Sequence, residues 1–290
     1  MTKEEVLKKI EKIRVCSSGD RRAPHKPLLL LYALAKLQNT SQRLMPYRDV
    51  KVKLRELLLE FGPPVKNVHS TIDPFLRLYN DKIWEIDKEV NISKPNEKYI
   101  LDNHVNAGFS NEVYQLLKDN NQLIKSITEL LLEKHFNDTL HDDILARVGL
   151  NFNYLSIRKR RDPIFRRKIL QLYGNKCAIC GFDVKLGKFP SAIEAAHIKS
   201  HKVGGPDIEG NGIALCAIHH KLFDQGAFTL NSNRQILVSK KANGTVGLQE
   251  FLLHFEGKKI TLPHKLEYQP KASFVAWHVR EVFKCGYGIR

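Results

Sequence analysis

Cys177 and Cys180 are answered 36 residues further on by Cys216, with His219 completing a second pair at the same spacing. Two such pairs can close one tetrahedron only if the chain between them folds back on itself. Three thiolates and an imidazole then fill every position around a zinc ion, which is the pattern of a structural site rather than a catalytic one. The sequence therefore predicts a small unit held by Zn2+ through Cys177, Cys180, Cys216 and His219. The other cysteines, Cys16 and Cys285, have no ligand spacing, and five cysteines used this way argue for metal and against disulfides.

Length and charge bound the rest. A chain of 290 residues has room for two domains with separate cores, and 42% hydrophobic with 27% charged residues is ordinary globular composition. No apolar run approaches the roughly 20 residues that span a bilayer. The longest, Leu28 to Ala35, follows Pro27 and suits a buried helix. The acidic, polar start Met1-Thr2-Lys3-Glu4-Glu5 does not read as a secretory signal, so a cytoplasmic protein without membrane attachment is expected. The formal charge of +16 is uneven. Residues 1–150 hold 24 basic and 21 acidic side chains, a net of +3; residues 151–290 hold 23 and 10, a net of +13. A field of that sign favours a polyanion such as double-stranded DNA.

The first 150 residues carry mostly helical periodicity. Val6, Ile10 and Ile13 mark a short amphipathic helix, and Pro27 fits the first turn of the next. Tyr47 to Phe61 repeats apolar residues at helical spacing until Gly62-Pro63-Pro64 stops it. Phe75 to Ile86, with Asn80-Asp81 as its turn, predicts a short hairpin. Ser110-Asn111 opens another helix, followed by Leu123 to His135 and His141 to Val148. The run at 158–168 is strongly basic, and Asp162-Pro163 starts a helix carrying Arg166 and Arg167. Domains are expected at 1–150 and 161–290, joined by a basic linker at 151–160. Arg160, Arg161, Arg166 and Arg167 are candidates to grip the DNA backbone.

A second set of residues interleaves with the cysteines. Ala192-Ile-Glu-Ala-Ala-His-Ile198 is strand-like, Asn211-Gly212-Ile-Ala-Leu-Cys216 follows a Gly-rich loop, and His219-His220-Lys-Leu-Phe-Asp224 has helical spacing. Here residues 160–285 resemble the HNH endonucleases, closest to the zinc-stapled members among modification-dependent restriction enzymes. The resemblance implies a ββα-metal finger that hydrolyses phosphodiester bonds. On matching positions His197 would be the general base, since a neutral imidazole can take a proton from water near pH 7. Asn211 would orient that imidazole. His220 would ligate one catalytic divalent cation, Mg2+ or Mn2+ or similar. Asp224, one turn after His220, is a second candidate ligand. Many family members carry Asp or His immediately before the base, where this chain has Ala196. Glu194 lies two residues earlier on the same side of the strand and is the candidate replacement.

Toward the N-terminus, Gly19-Asp-Arg-Arg-Ala-Pro-His-Lys-Pro-Leu-Leu-Leu-Leu31 resembles the signature loop and helix of sulfur-binding domains. Asp73-Pro-Phe-Leu-Arg-Leu78, Trp84-Glu85, Gly108-Phe-Ser-Asn-Glu-Val-Tyr114 and Thr139-Leu-His-Asp-Asp-Ile-Leu145 extend the similarity. The resemblance implies a reader of phosphorothioated DNA. Arg21, Arg22, His25 and Lys26 would hold phosphates or base edges, and Pro74 would form part of an apolar pocket for sulfur. Family members usually have an aromatic residue before that proline, where this chain has Asp73. The expectation is an α+β chain, a mainly helical reader followed by a zinc-stapled ββα-metal nuclease, acting on phosphorothioate-modified DNA. Two other readings are an HNH endonuclease that reads methylated or otherwise modified bases, and a non-catalytic reader of modified DNA. One finger cuts one strand, so a double-strand break suggests a homodimer.

Overall fold

The computed structural model describes residues 1–15, 23–64, 69–150, 163–187 and 189–285, and the chain divides into two compact units, Met1–Leu155 and Ser156–Arg290. Cys16, Arg21, Arg22, Arg160 and Arg161 lie outside the described residues.

The first unit runs α1 (Lys3–Glu11), α2 (His25–Thr40), β1 (Leu44–Pro46), α3 (Tyr47–Phe61), α4 (Ile72–Arg77), β2 (Trp84–Ile86), α5 (Glu97–Asp102), β3 (Asn106–Phe109), α6 (Asn111–Leu117), α7 (Asn121–His135) and α8 (His141–Val148). Helix α1 begins on a capping box in which the Thr2 hydroxyl accepts from the Glu5 N–H and the Glu5 carboxylate accepts from the Thr2 N–H. Helix α2 is the axis of the unit. It is buried without a break from Pro27 to Ala35, and α3, α4, α7 and α8 pack around it. That all-round burial explains why its sequence is apolar on every face rather than along a stripe.

The three short strands form an antiparallel sheet in the order β1-β3-β2. Gly108 makes the pairing possible, because a Cβ there would lie 1.7 Å from the Arg43 carbonyl oxygen. The hairpin expected over Phe75 to Ile86 does not form. Phe75 closes into α4, Leu78–Asp81 is a 3-10 turn, and only Trp84–Ile86 is extended, pairing with β3 instead of with its own neighbour. Pro74 sits in the first turn of α4, where its missing N–H costs nothing, and Phe75, Leu76 and Leu78 are all buried. A run so short carries no periodicity that separates helix from strand.

The second unit comprises α9 (Pro163–Leu172), β4 (Lys185–Leu186), β5 (Phe189–Pro190), β6 (Ile193–His197), β7 (Gly212–Cys216), α10 (Ala217–Asp224), β8 (Phe228–Leu230), β9 (Ile236–Val238), α11 (Val246–Phe251) and α12 (Ala272–Glu281). Its centre is the antiparallel ribbon β6–β7, with Ile193 opposite Cys216 and His197 opposite Gly212. Helices α9 and α10 pack on this ribbon. From α12, His278 stacks on Phe223 of α10 with ring centroids 3.7 Å apart, which braces the helix from behind. The fold is α+β, mainly helical in the first unit. No helix among the described residues is long and apolar enough to cross a membrane.

Candidate functional site

Cys177, Cys180, Cys216 and His219 converge as their spacing requires. The first pair sits on a tight turn, with the Cys177 N–H donating to the Phe182 carbonyl and the Gly181 N–H to the Cys177 carbonyl. The Ala178 N–H then donates to Ala214 and fixes the turn to β7. The second pair bridges the end of β7 and the first turn of α10. Cys180 and Cys216 sulfurs are 4.0 Å apart, and His219 Nδ1 lies 3.2 Å from the Cys216 sulfur and 3.7 Å from that of Cys177. Zinc–sulfur bonds of about 2.3 Å in a tetrahedron place sulfurs about 3.8 Å apart, so the donors fit that ion. Hydrogen bonds among the sulfurs lower the pKa of the Cys177 thiol and raise that of Cys216, so the cluster shares its protons until a metal displaces them. His219 Nε2 donates to the Phe251 carbonyl at 2.9 Å, which fixes the tautomer that leaves Nδ1 for metal. Phe228, Phe251 and Phe255 meet its ring edge-on and seal the cluster.

The ribbon and α10 carry the second set. His220 is buried, with Glu194 Oε2 2.6 Å from its Nδ1 and Asp224 Oδ2 3.5 Å from its Nε2. Strand alternation puts Glu194 and Ala196 on one side of β6, and the contact with His220 shows that this side meets α10. The three groups form a chain, carboxylate–imidazole–carboxylate, rather than a closed cage. Its oxygen-rich donors suit a hard divalent cation shared with water and phosphate.

His197, at the end of β6, is packed and oriented by residues that sequence reasoning did not single out. Phe165 of α9 stacks on its ring at 4.2 Å, and Asp207 Oδ1 lies 2.6 Å from its Nε2. His201, in the same loop as Asp207, brings its Nδ1 to 3.6 Å from the same carboxylate oxygen. Asp207 stands ten residues from His197 in a Gly-Pro loop with no periodicity, so no spacing rule connects the two; only the folded loop does.

Asn211 is placed differently from the expectation. Its amide does not orient the imidazole. The side-chain oxygen accepts from the Lys199 N–H, and the nitrogen donates to the carbonyls of Lys199 and Pro206. Asn211 is thus fully buried and clamps the loop that carries His201 and Asp207, acting on His197 only through that loop. Gly205 lets the loop fold this tightly, since a Cβ there would lie 1.9 Å from the Lys199 carbonyl oxygen. Arg166 is exposed, and its guanidinium donates to the Ile193 carbonyl at 3.0 Å, which ties α9 to β6. Arg167 is exposed.

In the first unit, the expected contacts with DNA separate. Lys26 forms an ion pair with Asp81 at 2.5 Å, and Asp81 also accepts from the Arg14 N–H, so this lysine ties the start of α2 to Asp81. His25 faces His69 with nitrogens 3.3 Å apart, and burial holds its pKa below the usual histidine value despite Asp73 nearby. Pro74 is buried in α4 and so offers little surface to a ligand. Asp73 is paired, accepting from Ser70 at 2.6 Å and from Arg77 at 3.0 Å, which offsets the charge that a DNA phosphate would meet.

A closed thiolate–imidazole cluster bracketing a strand–strand–helix finger defines a zinc-stapled HNH endonuclease unit, and the HNH endonuclease family model matches residues 177–231. The model described as ScoMcrA-like, DNA sulfur-binding domain matches residues 3–153, more than half of the chain, and the chain belongs to that family. Among solved structures it is similar to the sulfur-binding domain of ScoMcrA complexed with phosphorothioated DNA (22% identity, 50% of this chain and 94% of that one, TM-score 0.42). It is similar also to the sulfur-binding domain of SprMcrA in the same kind of complex (17% identity, 52% and 95%, TM-score 0.45). The type IV phosphorothioation-dependent restriction endonuclease ScoMcrA is 20% identical, with 50% of this chain and 32% of that one covered and a TM-score of 0.40. The chain thus matches about a third of the length of that enzyme. No curated protein matches the chain.

Proposed function

We infer that the chain is a modification-dependent DNA endonuclease, in which the first unit binds phosphorothioated DNA and the second hydrolyses a phosphodiester bond nearby. The observation that carries the cutting half is the placement of His197 and His220 on one ββα finger, each held by a carboxylate and backed by the zinc cluster. His197 is the base. With its Nε2 proton given to Asp207, the neutral ring carries its lone pair on Nδ1, and stacking on Phe165 limits its rotation. Asp207 also stabilises the imidazolium that forms when water gives up its proton. His220 would ligate a divalent cation through one ring nitrogen, with either Asp224 on its Nε2 side or Glu194 on its Nδ1 side as the carboxylate partner. The ion's chemistry when bound is to neutralise charge on the scissile phosphate and the leaving oxygen. Arg160, Arg161, Arg166 and Arg167 would contact the DNA backbone.

The reading half rests on family membership and on the composition of the α2 entrance. Sulfur is larger and less hydrated than oxygen, and an apolar pocket separates groups of that difference by about 10–200-fold. Arg21, Arg22 and His25 are the residues that would supply polar contacts around it.

The test uses the full chain with Mg2+ or Mn2+ on matched duplexes, with and without one stereochemically pure phosphorothioate linkage. Cutting confined to the modified duplex is expected. Equal cutting of both would remove the sulfur dependence, and cutting of neither would leave a non-catalytic reader.

A further inference from the structure

Among the described residues, two groups of side chains gather closely enough to share one metal ion. The first is the zinc cluster. The second is His197, His201 and Asp207, whose ligand atoms all lie within 4.8 Å of one another. It is distinct from the Glu194–His220–Asp224 chain and shares with the hydrolysis described above the base His197 and its partner Asp207, while His201 has no part in that reaction.

Its donor chemistry is distinctive. Two imidazoles and one carboxylate match the borderline preference of Zn2+ and its neighbours, whereas Mg2+ prefers oxygen and a nearly ideal octahedron. Three protein ligands with an open side are also the pattern of accessible zinc sites, in contrast to the closed Cys3His cluster. His197 is half-buried and stacked on Phe165, while His201 and Asp207 are exposed, so an ion has a route from solvent. Two of the three separations are already short. His197 Nε2 and His201 Nδ1 lie 2.6 and 3.6 Å from one oxygen of Asp207, and the two rings are 5.8 Å apart. His201 Nδ1 is also 3.3 Å from the Gly205 carbonyl, so binding exchanges that contact for the ion and moves the ring's proton to Nε2.

We propose that His197, His201 and Asp207 form a second, exchangeable transition-metal site, and that zinc held there switches off cutting. The switch, resting on the assignment of His197 as base, follows from the imidazole's single N–H. Without metal, that proton sits on Nε2 for Asp207 and the lone pair is on Nδ1. Zinc on Nε2 takes the lone pair there, and the proton moves through water to Nδ1. A ring protonated on Nδ1 cannot accept a proton from the attacking water. No proton is gained or lost by the ring, and Asp207 exchanges a hydrogen bond for a metal bond.

The experiment starts from full-length protein retaining its Cys3His zinc. Equilibrium dialysis against zinc, with Co2+ absorption as an independent probe, counts further ions per chain, and Mg2+-supported cutting is followed in parallel. A second zinc is expected at micromolar free zinc, with cutting lost over the same range. His201→Ala should weaken that second binding by at least about tenfold and raise the inhibitory zinc concentration by the same factor, each rate being taken relative to that variant's own zinc-free value. Binding that stays at one zinc overturns the site. Equal zinc sensitivity in His201→Ala and wild type overturns the switch, because zinc would then act by displacing the catalytic cation. A second zinc bound with cutting intact overturns it too. The failure of His197 as base is seen separately, as cutting retained by His197→Ala without added zinc, and the dialysis result does not depend on it.

Discussion

In the first unit α2 is buried along almost its whole length, and a continuous apolar core from Val6 to Leu150 surrounds it. The second unit buries a smaller core, and its polar interior is dense: Asn211, His219, His220, Asp224, Thr229, His278 and Glu281 are all buried. The first unit is therefore stabilised mainly by area removed from water, which is diffuse and insensitive to any one group. The second depends on a few specific bonds, which is the condition for holding an imidazole and a carboxylate in fixed relation but makes single losses costly.

Removing the metal should separate the two units most sharply. A chelator strong enough to take zinc from the cysteine cluster, or the Cys180→Ala substitution, should unfold residues 163–285 while α1 to α8 stay folded. Structural zinc contributes on the order of 10–16 kcal/mol to such sites. Circular dichroism and limited proteolysis read the two units apart; simultaneous melting of both, or no change in either, would contradict the contrast drawn above.

His197→Ala should lower cutting by about 10²–10⁴-fold with no change in affinity for modified duplex, because the general base acts only on the chemical step. Cutting within a few-fold of wild type would remove His197 from the mechanism. A parallel Asp207→Asn variant should keep the fold, lose most of the rate and shift the pH dependence of the remainder.

Lys26→Met tests whether the first unit also has one indispensable polar bond. It leaves the Asp81 carboxylate, 4% exposed, with the Arg14 N–H but without its ionic partner, and breaking a buried pair in this way costs about 3–5 kcal/mol. The double variant Lys26→Met with Asp81→Asn should recover part of the loss in urea denaturation. A single variant as stable as wild type would show that the pair contributes only placement.

The smallest effect concerns acid. His135 Nε2 is buried in α7 without a hydrogen-bond partner, and burial lowers its pKa to about 4 from 6.5. The unfolded chain then binds this proton first. Stability from the neutral ring is complete above pH 6.5 and declines as pH falls toward 4, by about 2 kcal/mol once partial exposure is allowed for. His135→Leu should flatten that part of the pH–stability curve, and an unchanged slope would sink the assignment.

Local patterns made much of this molecule legible before folding. Repeats at helical spacing located α3, α7 and α8, because burying one face imposes the period directly on the sequence. Cysteine spacing located the zinc cluster for a similar reason: a tetrahedron constrains which residues can reach it. The order of His197, Asn211 and His220 marked the finger. What stayed hidden was every relation made by two segments without a shared period. Phe75 to Asp81 became helical because α2 and α3 offered an apolar seat that a hairpin would not fill. Lys26 turned inward because Asp81 waits there, and Asn211 holds a loop rather than a ring because the 199–206 backbone folds over its amide. Asp207 and His201 reach His197 by the same loop. Sequence sets which groups are available and how often they recur along an element, whereas distance between groups on different elements is decided only when the elements pack.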